Sequence, residues 1–208
     1  MGGGWAGRTF GHMLQNADIT PAHPGRTPLR LLAAGLTAVA LLGGSAGSAD
    51  ALAATCSDQK ASPTKASPAE ITRATLCLVN AERRDHGLRP LQMNSRLSAA
   101  ARRHSRDMVR RQYFEHTAPG GPTLVQRIRR TGYLESADRW LVGENIGWGA
   151  SSKGTAHAIV DGWMHSPPHR KAILTGSYRD AGVGVIRGVP AQGPSGGATY
   201  TLDFGVKR

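Results

Sequence analysis

Between about residues 68 and 130 apolar positions recur at spacings of three and four, whereas near the end of the chain they alternate every second residue. Helices are therefore expected first and strands later. The first helix begins at Ser67-Pro68-Ala69-Glu70, with an N-cap serine, proline at the first helical position and glutamate at the third. Ile71, Leu78, Val79 and Glu82 carry it to about His86, and Gly87 ends it. A second helix is expected from about Ser95 to Gln112, with Leu97, Ala100, Ala101, His104, Met108 and Arg111 near one face. A third, short helix spans about Thr123 to Arg130, and a fourth about Thr155 to Met164, with Ile159, Gly162 and Trp163 facing inward. "WLVGENIGWG" (140–149) reads as an extended, glycine-punctuated strand. "AGVGVIRG" (181–188) and "ATYTLDFGV" (198–206) alternate with period two and predict an antiparallel pair joined by a Gly/Pro-rich loop. The order implies an α+β fold, with helices layered on a small antiparallel sheet.

"HSPPHR" (165–170) follows the fourth helix. Its two prolines are expected to stop that helix and to hold His169 on a stiff corner outside any helix.

The front of the chain changes the setting. Arg26 and Arg30 precede a 12-residue apolar run, Leu31 to Leu42, and Ala51-Leu52-Ala53 fits an A-x-A cleavage site. Residues 1–53 therefore read as a signal peptide with a long n-region. The run is short of the roughly 20 residues a membrane span needs, so the membrane is met only through the signal segment, with an uncleaved anchor as the alternative. Residues 54–68 are a polar segment and 69–208 the folded domain. In an exported chain Cys56 and Cys77 suggest one disulfide, two unpaired thiols being the alternative.

Residues 1–53 hold three of the 26 Lys and Arg and two of the 14 Asp and Glu, so the exported part keeps a net charge of +11. Outside a cell the available polyanions are lipid headgroups, wall polymers and acidic polysaccharides, which makes an anionic envelope component the expected partner. Arg102, Arg103, Arg106, Arg110 and Arg111 crowd one predicted helix, and Arg127, Arg129 and Arg130 another. The same arginines also suit a plain solvated surface. No aromatic residues interleave them as a nucleic-acid stacking platform requires, so nucleic acid is excluded.

Three residues are candidates for chemistry. His116 follows an apolar pair in "YFEHT", Glu144 lies in the apolar strand segment "GENIG", and His169 sits in "SPPHR". A carboxylate inside an apolar strand is costly unless paired or ligated. Two imidazoles with a carboxylate also suit a divalent cation such as zinc. On spacing alone the signal is weak, and a Glu144 satisfied by a buried hydrogen bond, with both histidines at the surface, is the stronger reading.

The run "CLVNAERRDHGLRPLQMNSRLSAAARRHSRDM" and the later blocks "FEHTAPGG", "GENIGWG", "GWMHSPPHRKAIL", "AGVGV" and "TLDFG" resemble, in order, the CAP superfamily (cysteine-rich secretory protein, antigen 5, pathogenesis-related 1) and its bacterial SCP-like branch. The resemblance covers about Ile71 to Gly205. It implies a secreted three-layer α-β-α sandwich and a central cleft where a His/Glu tetrad can hold a metal. His116, Glu144 and His169 match three tetrad positions. The fourth departs: Ser166, three residues after Trp163, stands where full-tetrad members carry Glu. Any metal would therefore bind at low affinity. Asn145, Ser166 and Arg170 are expected to line the cleft. The function so implied is a secreted, monomeric binding protein of the cell envelope or wall, taking a lipid, a wall fragment or a metal. A metal-assisted hydrolase or peptidase is the alternative, and Ser166 as a nucleophile lacks a G-x-S-x-G elbow.

Overall fold

The computed structural model describes residues 56–192 and 195–208. The expected leader over residues 1–53 lies outside the described residues. Five helices and four strands follow in order: α1 Pro68–Asp85, β1 Gln92–Met93, α2 Ser95–Arg111, α3 Leu124–Arg129, β2 Trp140–Ala150, α4 Ala156–Met164, α5 Pro167–Ile173, β3 Asp180–Arg187 and β4 Gly197–Lys207. A short 3-10 turn, Ser151–Gly154, joins β2 to α4.

Local sequence explains the element ends. Ser67 accepts from the Glu70 amide while Glu70 accepts from the Ser67 amide, completing the capping box of α1. Asn94 caps α2 by accepting from Arg96 and Leu97. Thr123 and Gln126 form a second capping box at α3.

The four strands form one sheet in the order β1-β3-β4-β2. β4 pairs antiparallel with both long neighbours, and only the two-residue β1 runs parallel to β3. Alternation along β4 separates two layers. Tyr200, Leu202 and Phe204 pack with Ile71 and Val79 of α1 and Trp163 of α4. On the opposite face Leu97 and Ala100 of α2 pack with Ile128 of α3 and Val142 of β2. Helices on both faces of a mainly antiparallel sheet make the expected three-layer α-β-α sandwich. α2 lies directly on the sheet because β3 offers Gly182 and Gly184 beneath it. A Cβ at either glycine would collide with the α2 backbone at Leu97–Ser98 or Ala101–Arg102.

One feature departs from the sequence expectations, and a second was not foreseen. "SPPHR" is not a corner outside any helix: Pro167 and Pro168 occupy the first turn of α5, with Ser166 at its N-cap. Proline lacks only an N–H that the first turn leaves unbonded anyway, and its φ already suits a helix. The prolines thus stop α4 and start α5. Arg83, near the end of α1, is fully buried. Its guanidinium donates to the carbonyls of Arg89, Ile173 and Thr175, clamping α1 to the end of α5.

Cys56 and Cys77 are joined in a disulfide. The segment between Cys56 and α1 is fastened at further points. Arg187 donates to the carbonyls of Pro63 and Ala66, and the His157 amide donates to Gln59. Among the described residues no helix is long and apolar enough to cross a membrane.

Candidate functional site

Glu144 faces the α2/α3 layer, as do its alternate neighbours in β2, Val142 and Ile146. Its carboxylate is almost wholly buried, with 2% of the side chain exposed. Three elements converge on it. From α3, Arg127 donates Nη2–H to Oε2 in a short, buried ion pair. From the loop after α2, His116 places Nδ1 2.7 Å from Oε1. From α2, His104 holds Nε2 4.0 Å from the same oxygen. Arg127 also fixes the loop, donating Nη1–H to the His116 carbonyl at 2.7 Å. One guanidinium therefore positions both the carboxylate and the backbone of the histidine that meets it.

The charges follow from this geometry. Burial alone would raise the Glu144 pKa, but the Arg127 guanidinium, His104 and the hydrogen bond from His116 outweigh it and hold the carboxyl well below the usual range. Glu144 is thus an anion that accepts from His116 Nδ1–H. His104 is pushed down to about 4, chiefly by burial. Its Nε2 lies 3.0 Å from the Glu115 carbonyl and so must carry the proton that bonds it.

Directly across the ladder from Glu144 stands Asp203 of β4, completely buried. Burial and then the neighbouring Glu144 charge raise its pKa well above the usual carboxylate value, and Arg127 opposes them only in part. A hydrogen bond between the two carboxyl groups raises it further. Two carboxyl groups thus lie side by side within the field of a single arginine.

The other expected residues lie on further elements. Asn145 follows Glu144 and, by strand alternation, leaves the opposite face of the sheet. There its amide donates to the His169 carbonyl at 3.1 Å. His169 and Ser166 are buried at the start of α5. Arg170 lies 2.9 Å from His86 Nε2 at the end of α1. His116 and Glu144 are thus brought into contact, and His169 is tied to the same strand through Asn145. An ion that has Glu144 among its ligands does not fit this arrangement. Both carboxylate oxygens already take donors, and the adjacent guanidinium repels a second cation. Among the described residues no group of three His, Cys, Asp or Glu side chains is set to hold one.

Arg127, Asp203 and His104 complete the site but were not singled out for it from sequence. Arg127 read as one of a surface cluster, Asp203 as part of an alternating strand and His104 as structural. The one available signal was placement: Arg127 falls on the inner stripe of α3, one residue before the core residue Ile128.

A three-layer sandwich with a buried Glu/His/Arg centre at the sheet edge defines the class, and comparison with known proteins supplies the family. Residues 76–203 match the cysteine-rich secretory protein family, CAP, and this chain belongs to it. The chain is 34% identical over 133 residues to the uncharacterized protein YkwD of Bacillus subtilis, an alignment covering 62% of this chain and 48% of that protein. It is 36% identical over 112 residues to the uncharacterized membrane protein YlbC of the same organism, covering 54% and 30%. This chain thus spans less than half the length of either relative. Among solved structures, an extracellular SCP-domain protein of Bacillus anthracis superposes with a TM-score of 0.52 at 28% identity, covering 67% of this chain and 43% of that one. An outer surface protein of Borrelia burgdorferi superposes with a TM-score of 0.58 at 19% identity, covering 69% and 97%, and shows the fold alone.

Proposed function

We propose that this protein is an exported binding module of the cell envelope, acting as a monomer that retains an anionic lipid or wall component, and that it is not a hydrolase. The observation that carries this reading is the lock on Glu144. A general acid or base works best with a pKa near the working pH. Glu144 is held well below that range and His104 at about 4, while Asp203, raised above the usual carboxylate value, is completely buried across the ladder. Glu144 and His104 thus build a fixed, buried centre rather than a proton-transfer pair. The strongly basic composition supports an anionic partner. Export is supported by the leader pattern and by a structural relative described as extracellular.

One observation favours a second reading. Glu144 engages His116 at Nδ1, as carboxylates do behind histidines that bind a metal through Nε2. In that case zinc would be taken by His116 Nε2 and His169, with Glu144 in support.

Sedimentation of the purified protein with isolated envelopes at rising salt tests the binding reading. Retention that weakens with salt is expected; no retention at low salt overturns it. Zinc titration, followed by an ester and peptide hydrolysis screen with and without chelator, tests the second. Chelator-sensitive turnover that disappears in His116→Ala would establish the hydrolase instead.

A further inference from the structure

Four arginines that the sequence distributes over two helices meet around one cavity. Arg103 and Arg111 come from α2, and Arg127 and Arg130 from α3 and its C-cap, enclosing about 310 Å³ with Ala118 and Pro122 in the wall. Two of these charges are already matched. Arg111 pairs with Asp107 at 3.2 Å, and Arg127 with Glu144. Among the described residues Arg103 and Arg130 enter no ion pair, so two positive charges stand uncompensated at the cavity. Arg127, with 7% of its side chain exposed, forms the inner wall beneath them.

We propose that this cavity binds the terminal phosphate of a phosphate monoester. The proposal rests on the binding reading above and gives it a ligand class and a place. A phosphate monoester carries a charge of about −1.5 to −2 at pH 7 and three strong acceptor oxygens, which matches two uncompensated guanidinium groups. The donors approach from two helices, in different directions. A tetrahedral group can accept from all of them, whereas a planar carboxylate is satisfied by one arginine fork. Ala118 and Pro122 give the carbon body beside the ester an apolar wall. The floor of the cavity is preorganised, because Arg127 is held by Glu144 and by the His116 and Pro122 carbonyls before any ligand arrives. A soluble phosphoester and a lipid with a terminal phosphate share this chemistry.

Isothermal titration of the purified exported protein with glycerol 3-phosphate, and with glycerol as control, tests the proposal. Binding is expected for the phosphoester only. The Arg103→Gln/Arg130→Gln double variant should weaken it about tenfold or more, while Arg139→Gln, a cation on a different surface, should leave it unchanged. Both replaced side chains are exposed, so an unchanged thermal midpoint is expected to confirm folding. Sedimentation with phosphatidic acid vesicles separates the sources: loss of vesicle binding in the double variant supports a lipid phosphate, and absent vesicle binding with intact glycerol 3-phosphate binding supports a soluble ester. No binding at millimolar glycerol 3-phosphate overturns the proposal. So does a double variant that binds like wild type, or equal weakening by Arg139→Gln. If wild type and the double variant are equally retained on envelopes while glycerol 3-phosphate is ignored, the cavity proposal falls and the binding-module reading stands.

Discussion

Replacing Arg127 with Met would leave the Glu144 carboxylate ionised or forced to protonate in a site with 2% exposure. Breaking a buried pair from one side costs roughly 3–5 kcal/mol, and Arg127 additionally holds the His116 and Pro122 carbonyls. Urea unfolding of Arg127→Met should show a loss of that order, with part of it recovered in Arg127→Met/Glu144→Gln. A loss under about 1 kcal/mol, the size of a surface pair, would show that the pair is solvated. His104 gives a pH signature. Its native pKa lies near 4 against 6.5 as the ordinary value, so the unfolded chain takes up the proton first as pH falls. The resulting stability is present above about pH 6.5 and is lost as pH drops toward 4. His104→Gln should flatten that part of the stability curve, read by urea unfolding across the same range. The apolar strand showed that Glu144 needs a partner, but only the family resemblance named His116 as that partner. Arg127 was not legible, because arginine at a helix end usually means solvent, and only the tertiary placement of α3 turns it inward. Asp203 was hidden by its strand: alternation marks which face it takes but not that Glu144 stands opposite.

At the scale of elements, the three-layer stack depends on how closely α2 approaches β3. Gly182 and Gly184 leave no room for a side chain under the helix. Gly182→Ala or Gly184→Ala must push α2 outward or bend the strand, at a cost of about 1–3 kcal/mol or more. Gly176→Ala is the control, since an added Cβ there meets only Leu88 at an ordinary 3.5 Å. Thermal unfolding should place the first two well below wild type and the third close to it; equal midpoints for all would mean the helix can shift freely. The helices with caps were legible almost to the residue, because Ser67, Asn94 and Thr123 act through local hydrogen bonds. The long strands were legible from alternation. β1 was not: two residues carry no period, and Gln92–Met93 becomes a strand only because β3 lies beside it. α5 was misread because Pro-Pro breaks a helix from behind but begins one from in front, and only the packing of Ile173 in the core shows which applies.

For the whole molecule, the question is how much the segment ahead of α1 contributes to a domain whose family match begins only at residue 76. Composition marks residues 57–67 as loop, yet the chain there is bound at both ends and in the middle. The disulfide anchors Cys56 to Cys77 in α1, and Cys56 and Ala66 belong to the same core cluster as Val79 and Trp163. Arg187 of β3 reaches back to two of its carbonyls. The cross-link closes a loop of sequence separation 21, for which a chain-entropy account gives about 3 kcal/mol. The surrounding contacts persist without the sulfur bond, so its loss should weaken the domain without abolishing the fold. The double variant Cys56→Ser/Cys77→Ser is therefore expected to unfold cooperatively at lower urea, with a stability loss of about 2–4 kcal/mol. Reductant should shift wild type to the same midpoint and leave the variant unmoved. Hydrogen exchange would locate the effect: amides of residues 57–67 should lose protection first, and those of β4 should keep theirs up to global unfolding. Unchanged protection in that segment would mean that Arg187 and the core contacts hold it unaided, and that the disulfide acts only on the unfolded chain.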